Sequence, residues 1–437
     1  MKRAIAQVQA RQVWDSRGRP TVEAEVALRG GAVGRAIAPA GASRGAHEAV
    51  DLRDGGEAFG GLGVTRAVGH VVGEIAPALI GWDAADQAGL DALLVALDGT
   101  PNKSRLGANA LVAVSMAALH AAAAAAGEPI WRYLAEGRPV RMPVPEIQIF
   151  GGGAHAGRRT DVQDFMIMSP GAGSFRRALE IAADVYRAAG RLMEARGSLA
   201  GVADEGGWWP AFSSNEHALD TLTQSIERAG YRPGVDAFLS LDIAANEFCE
   251  DGVYRLTLDD DETLEGGAMA ERIIGWAARY PILSIEDPAG QDDWATLAAI
   301  TRALGDQVQI VGDDVLVTAA DRVARAAAAG AGNAALIKVN QVGTVTQAKA
   351  ALDAAKALGW GTIVSARSGE SEDVTITHLA VGWDAGQFKV GAFTRSERMA
   401  KWNEGLRIEA ALGVDAVFAG NEAFTKPVAA SLRRSRN

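Results

Sequence analysis

Six short apolar runs each end on a polar side chain: Asp242 in FLSLDIAANE, Glu286 in PILSIEDP, Asp313 in VQIVGDDVLV, Lys338 in NAALIKVNQ, Ser365 in TIVSA and Lys389 in GQFKVGA. From Glu286 onward the run ends recur at steps of about 25 residues, with alanine-rich helical stretches such as 321–329 and 347–358 between them. Regular alternation of buried strand and helix specifies a parallel (β/α) barrel. An open doubly wound sheet is the structural alternative, but it calls for a glycine-rich phosphate fingerprint after its first strand, which the sequence does not place there.

In a barrel the C-terminal strand ends share one mouth, so order along the chain becomes neighbourhood in space. Asp242, Glu286 and Asp313 then form an oxygen-only ligand set, which suits Mg2+ better than zinc or copper. Each acid alone reads better as a helix cap or an arginine's partner; three on successive strands, each closing an apolar run, point to a cation instead. Lys338 and Lys389 reach the same mouth, although the chain has only eight lysines. A lone lysine could snorkel past the rim to solvent, which is a fair account of Lys389 but a poorer one of both. A desolvated lysine beside other cations titrates low. Lys338 is therefore expected to serve as a base, its pKa brought from about 10.4 to about 7.5 at a cost of roughly 4 kcal/mol.

Three further segments carry chemistry. Asp204-Glu205-Gly206-Gly207 sets two acids before glycines that let backbone approach a ligand, and Glu205 is the candidate general acid. Arg367-Ser368-Gly369 follows the strand TIVSA and reads as an anion clamp. His155 lies in the glycine-rich loop GGGAHAG.

Upstream, the pattern alternates as two or three strands to about residue 35, with TVEAEVALRG clearly period-two. Helical patterns follow at 64–80, 84–97 and 108–126. Strands followed by helices suggest an α+β unit, placed at 1–137, that caps a barrel domain at 138–437. Net charge is −11 with no basic tract, which argues against a nucleic-acid or anionic-membrane partner. A small anionic substrate stays open, because local cations and a metal can reverse the field in one pocket. Cys249 is the single cysteine, so neither an intrachain disulfide nor a thiolate cluster is available. The start, MKRAIAQVQARQVW, lacks the apolar core of a secretion signal. The alanine-rich stretch 110–126, between Asn109 and Gly127, reads as a capped, closely packed helix rather than a membrane span. The cytoplasm is the expected location.

The segments VWDSRGRPTVEAEV, PAGASRGAHEAVDLRDG, GVADEGG, LDIAANEF, SIEDPAGQDDW, GDDVLVT, LIKVNQVGTVT, SARSGESED and FTRSERMAKWNEGLRIE resemble enolase, in order and over nearly the whole chain. The resemblance implies an α/β fold with an N-terminal α+β capping domain followed by an enolase-type modified (β/α)8 barrel, in a homodimer or larger homo-oligomer. That such sites pair a lysine or histidine base with one or two Mg2+ ions is general knowledge of the superfamily, not something read from these residues. Carried over, Asp242, Glu286 and Asp313 bind the first Mg2+, and Ser43 of the mobile PAGASRG loop contributes to a second that arrives with substrate. Lys338 takes the C2 proton, Lys389 steadies the dianion, and Glu205 helps hydroxide leave C3. Arg367, Ser368 and His155 attend the phosphate.

The departures from the family are grouped. Where enolases have Ser-His-Arg-Ser, this chain has Ser365-Ala366-Arg367-Ser368, without the imidazole. Gln163-Asp164-Phe165 stands for Gln-Glu-Phe, about 1.5 Å shorter in reach. In the mobile loop a hydroxyl is lost at Ala40 and a guanidinium gained at Arg44; Gly151 and Ala154 replace an asparagine and a serine. The proton-abstracting half is intact and the elimination half altered. This favours a specialised paralogue resembling the carboxyphosphonoenolpyruvate synthases of phosphonate antibiotic pathways, acting on a small phosphorylated three-carbon acid and a nucleotide-activated phosphonate. An ordinary enolase is the alternative, and a non-catalytic binding descendant a second.

Overall fold

The first strands are β1 (Ile5–Trp14), β2 (Pro20–Leu28) and β3 (Val33–Ile37), an antiparallel meander in a computed structural model that describes residues 2–259 and 261–434. Val22, Ala24 and Val26 of β2 are fully buried, and β2 and β3 pack on the helix Ala108–Ala126. On the alternate face, Glu23 meets Arg11 at 2.9 Å. The alanines let helix and sheet touch backbone to backbone. A Cβ at Gly34 would sit 2.1 Å from the Ala117 carbonyl oxygen.

By length and composition that helix could cross a membrane, yet 83% of its most apolar window is buried inside the protein. Its start differs from the sequence expectation. Gly107 occupies the cap position, while Asn109 lies inside the helix and exchanges hydrogen bonds with Leu52 N (3.2 Å) and O (3.0 Å). Gly127 ends it at φ +71°, as a left-handed cap should.

The barrel begins with β4 (Val144–Gly151), β5 (Asp164–Met168) and β6 (Phe238–Asp242). A small antiparallel sheet follows: β7 (Cys249–Glu250), β8 (Val253–Leu256) and β9 (Glu262–Glu265). Then β10 (Ile282–Glu286), β11 (Gln309–Gly312), β12 (Ala334–Ile337), β13 (Gly361–Ser365) and β14 (Gly386–Ala392) complete a closed ring, with β14 parallel to β4.

The ring is not wholly parallel, as strand–helix alternation alone suggested. β5 runs antiparallel to both β4 and β6. The cause is the connection: β4 passes to β5 through the loop 152–163 without a crossover helix of α type, which only an antiparallel pair permits. Two helices, Phe175–Ala195 and Asn215–Arg228, then precede β6. The other strands bring their C-terminal ends to the mouth, whereas β5 brings its first residue, Asp164.

Beneath the mouth the interior is polar: Gln309 Nε2 donates to Gln387 Oε1 at 2.9 Å and to Ser284 Oγ at 3.1 Å. The PAGASRG loop rests on the mouth by a paired contact, Ala40 N to Gly369 O at 2.9 Å and Gly369 N to Ala40 O at 2.8 Å.

Candidate active site

Asp242 and Glu286 are the last residues of β6 and β10, Asp313 and Lys338 directly follow β11 and β12, and Lys389 lies within β14. All five are at most 8% exposed. Lys389 Nζ bridges two acids, at 2.7 Å from Glu286 Oε2 and 2.9 Å from Asp242 Oδ2. Lys338 pairs with Asp313 Oδ2, and Gln341 Nε2 donates to Asp313 Oδ1 at 2.8 Å. Gln163 Nε2 donates to Asp242 at 3.1 Å.

This arrangement splits the expected ligand trio: Asp242 and Glu286 share one ammonium, while Asp313 is turned to the other. The closest-set trios, with ligand atoms all within 4.8 Å of one another, are Asp287, Asp313 and Asp314, and His155, Asp164 and Glu205. Asp287 is nevertheless committed to backbone, accepting from Asp313 N and Asp314 N at 2.8 Å each. The donor chemistry still fits a hard cation, because buried Glu286 Oε1 has no hydrogen-bond partner among the described residues. Burial and then Asp242 push the Glu286 carboxyl well above its ordinary range, and positive charge beside it would relieve that.

The expectation of a lowered Lys338 pKa is overturned in this geometry. Burial is the largest influence and disfavours the ammonium, and Arg367 and Lys389 repel it. Asp313 and Glu286 together act the other way, and the shift is upward. The sequence showed the cations around Lys338 but not which acid it would touch.

The second corner holds His155, Asp164, Glu205 and Ser368. His155 Nδ1 meets Asp164 Oδ1 at 2.9 Å, and its Nε2 meets Ser368 Oγ at 3.0 Å and Glu205 Oε1 at 3.8 Å. Gln148 also donates to Asp164, and its Oε1 takes the Gly207 amide at 2.7 Å. Burial opposes charge on the imidazole, yet Asp164 and Glu205 raise its pKa to about 9. Burial likewise opposes charge on Glu205, yet His155 and then Arg398 pull it below the ordinary range. These directions favour an ionised Glu205 beside a protonated His155, so in this geometry the imidazolium is the nearer proton donor.

A pH effect follows from that imidazolium. Its pKa is raised from 6.5, so its contribution to stability is full below about pH 6.5 and is lost as pH rises through about 9. Urea unfolding of the wild type and His155→Gln should show a stability gap at pH 6 that shrinks by pH 10. An unchanged gap would place the proton elsewhere.

Arg367 sits 4% exposed, and its guanidinium is occupied within the chain. Nη1 lies 2.9 Å from Glu48 Oε2 and 3.1 Å from Asn340 Oδ1; Nη2 donates to the Ser43 carbonyl at 3.0 Å. The loop can close only because residue 41 is glycine: a Cβ there would be 1.9 Å from Arg367 Nη2. Ser43 lines the closed cavity with Ala366, Gln163 and Lys338, leaving about 10 Å³ free. Arg44 does not join them. Its Nη2 lies 3.1 Å from Asp51, and its side chain is 44% exposed.

Sequence reasoning missed Glu48, Asn340, Gln341, Asp287 and Arg398. Asp287 had a signal, since it directly follows Glu286, and Glu48 lies in the quoted loop segment. Arg398, fully buried, donates to the carbonyls of Arg367 (2.7 Å), Val390 (2.9 Å) and Ser368 (2.5 Å), and so fixes the clamp's backbone.

Two family models fit this architecture: "Enolase, N-terminal domain" over residues 5–134 and "Enolase, C-terminal TIM barrel domain" over residues 139–427. The chain belongs to the enolase family. Its enolase barrel, capping sheet and buried acidic groups together support an enzyme of lyase type, with carboxylates that could hold a metal ion.

Proposed function

We propose that this enolase-family chain is a Mg2+-dependent enzyme that removes the proton alpha to a carboxylate, specialised as a carboxyphosphonoenolpyruvate synthase. It forms a phosphoenolpyruvate-type enol ester from a three-carbon acid phosphate and a nucleotide-activated phosphonoformate. The bond from phosphonoformate to the nucleotide breaks as the bond to the enol oxygen forms, and the nucleoside monophosphate and the three-carbon acid's own phosphate leave. The observation that carries the reading is asymmetry within one cavity. Both lysines and Asp242 line it, with Glu286 and Asp313 paired to those lysines, while Ala366 and the shortened Asp164 line the side where enolases expel hydroxide.

In this reading Asp242, Glu286 and Asp313 hold the first Mg2+, and Ser43 helps hold a second with substrate. Bound there, the ion supplies positive charge beside the substrate carboxylate, where negative charge grows as the proton leaves. With Asp313 engaged as a metal ligand, Lys338 would lose its strongest attractive partner, and burial with Arg367 and Lys389 would lower its pKa toward the range of a base. Lys389 stays charged and holds the dianion. Arg367 exchanges the Glu48 carboxylate for the substrate's phosphate, Ser368 adds a hydroxyl, and the His155 imidazolium, oriented by Asp164, donates the proton at the leaving-group side. The proposal also divides the chain into cap (1–137) and barrel (138–437), places it in the cytoplasm, and makes it a homodimer or larger homo-oligomer.

Ordinary enolase chemistry is the second reading. One contact favours it: Asp164, though short, still reaches His155 at 2.9 Å beside Glu205. Phosphorus NMR of purified protein with Mg2+, phosphoenolpyruvate or phosphoglycerate, and nucleotide-activated phosphonoformate should show a new phosphonate enol ester. Conversion of 2-phosphoglycerate to phosphoenolpyruvate at about 10 s⁻¹, an ordinary enzyme rate, would remove the basis for specialisation.

Metal binding has its own check. At about a hundredfold excess over its dissociation constant, Mg2+ should add about 2.7 kcal/mol of stability, read as a higher melting temperature. Glu286→Gln should abolish that increment. An undiminished shift would move the ion to other ligands.

A further inference from the structure

We infer that Glu48 is a specificity-determining residue of the lid. Its carboxylate occupies the Arg367 clamp, holds the loop 39–48 down on the mouth, and yields to a ligand whose phosphate can take its place. Hydrogen bonding at the clamp decides this. A guanidinium has four terminal N–H bonds, and here all four are spent. Nη1 donates to Glu48 Oε2 (2.9 Å) and Asn340 Oδ1 (3.1 Å), and Nη2 to Glu48 Oε1 (3.2 Å) and the Ser43 carbonyl (3.0 Å). A phosphate can gain the two-pronged grip of this arginine only by displacing the carboxylate.

The same carboxylate shapes the lid. Glu48 Oε1 also accepts from Gly45 N at 3.2 Å and from Gln341 Nε2 at 3.3 Å, so one side chain ties the loop tip to itself and to the barrel. The lid's other charged groups do not do this. Arg44 pairs with Asp51 inside the capping domain, and His47 faces Asp292 at 3.5 Å with both side chains exposed. Exposed pairs contribute little, whereas Arg367 and Glu48 are both buried. Under the closed lid the cavity has about 10 Å³ free, about the room one water needs. A three-carbon acid phosphate enters only when the loop lifts.

Breaking a buried ion pair outright strands a charge, whereas trading one anion for another leaves Arg367 paired throughout. A phosphate monoester carries about −1.5 to −2 charge at pH 7 and three acceptor oxygens, and so outcompetes a single carboxylate. A ligand with a carboxylate alone meets an equal already in place. Glu48 therefore screens for phosphate before the lid moves. That the displacing phosphate belongs to the substrate rests on the reading above; the latch stands on the contacts of Glu48 alone.

Trypsin reads the lid in the full chain, because Arg44 lies on it and the next residue is packed away: a Cβ on Gly45 would be 2.8 Å from Val317 Cγ1. In Glu48→Gln, cleavage after Arg44 should be at least about fivefold faster than in wild type, with other sites unchanged. In the wild type, inorganic phosphate without Mg2+ should speed the same cleavage saturably, while sodium chloride at matched ionic strength does not. By isothermal titration, the dissociation constant for inorganic phosphate should fall at least about threefold in Glu48→Gln, since the latch no longer competes. Weaker binding would make Glu48 a residue that orients Arg367 for phosphate and would overturn the latch. Equal cleavage of the two proteins, or acceleration at every site alike, would overturn it too. A wild type indifferent to phosphate would overturn the exchange, and that arm needs no variant to fold. Latch behaviour without binding or turnover of any phosphoglycerate would sink the substrate reading alone.

Discussion

Lys338→Ala should lose exchange of the substrate's C2 proton with solvent by about 10² to 10⁴-fold, the usual contribution of a positioned general base. Proton NMR in deuterium oxide, with Mg2+ and 2-phosphoglycerate, reads this step whether or not any product forms. Removing the ammonium also leaves Asp313 buried without its partner, a change worth about 3–5 kcal/mol when nothing compensates. The comparison therefore belongs at saturating Mg2+ and below the variant's melting temperature. Exchange that persists at the wild-type rate would take Lys338 out of the base's role and leave the site without a candidate for proton removal.

Ala366→His combined with Asp164→Glu should convert the protein toward ordinary dehydration of 2-phosphoglycerate, raising that rate by about 10²-fold or more. The reasoning is local. Ala366 is 6% exposed and lines the same closed cavity as Glu205 and His155, so an imidazole there enters the leaving group's surroundings. Close packing resists it, and filling so small a cavity costs about 1–3 kcal/mol, so each single variant should be less stable than wild type. A double variant that folds, binds Mg2+ and gains no dehydration would separate these two positions from the difference in chemistry.

Much of this site was readable because a barrel turns strand order into geometry. Asp242, Glu286, Asp313, Lys338 and Lys389 close or directly follow apolar runs, and the structure collects them within one mouth. What escaped was pairing. Nothing local says that Glu48 will meet Arg367, 319 positions later, or that Arg44 will prefer Asp51 to the cavity. Signs of pKa shifts escaped for the same reason. Burial and neighbouring cations at Lys338 were inferable, but the closeness of Asp313 and Glu286 that together reverse their effect depends on the closed ring. The direction of β5 was hidden as well, since a five-residue apolar segment reads alike from either end.

The inverted β5 has a consequence for how such a catalyst can diversify. His155, Asp164 and Glu205 all belong to the single excursion between β4 and β6, while the acids and lysines that handle the proton are spread over the repeating units that follow. In the proposed reading, changes in that one stretch, joined by position 366 after β13, alter which group departs, and the residues assigned to making the carbanion stay where they were.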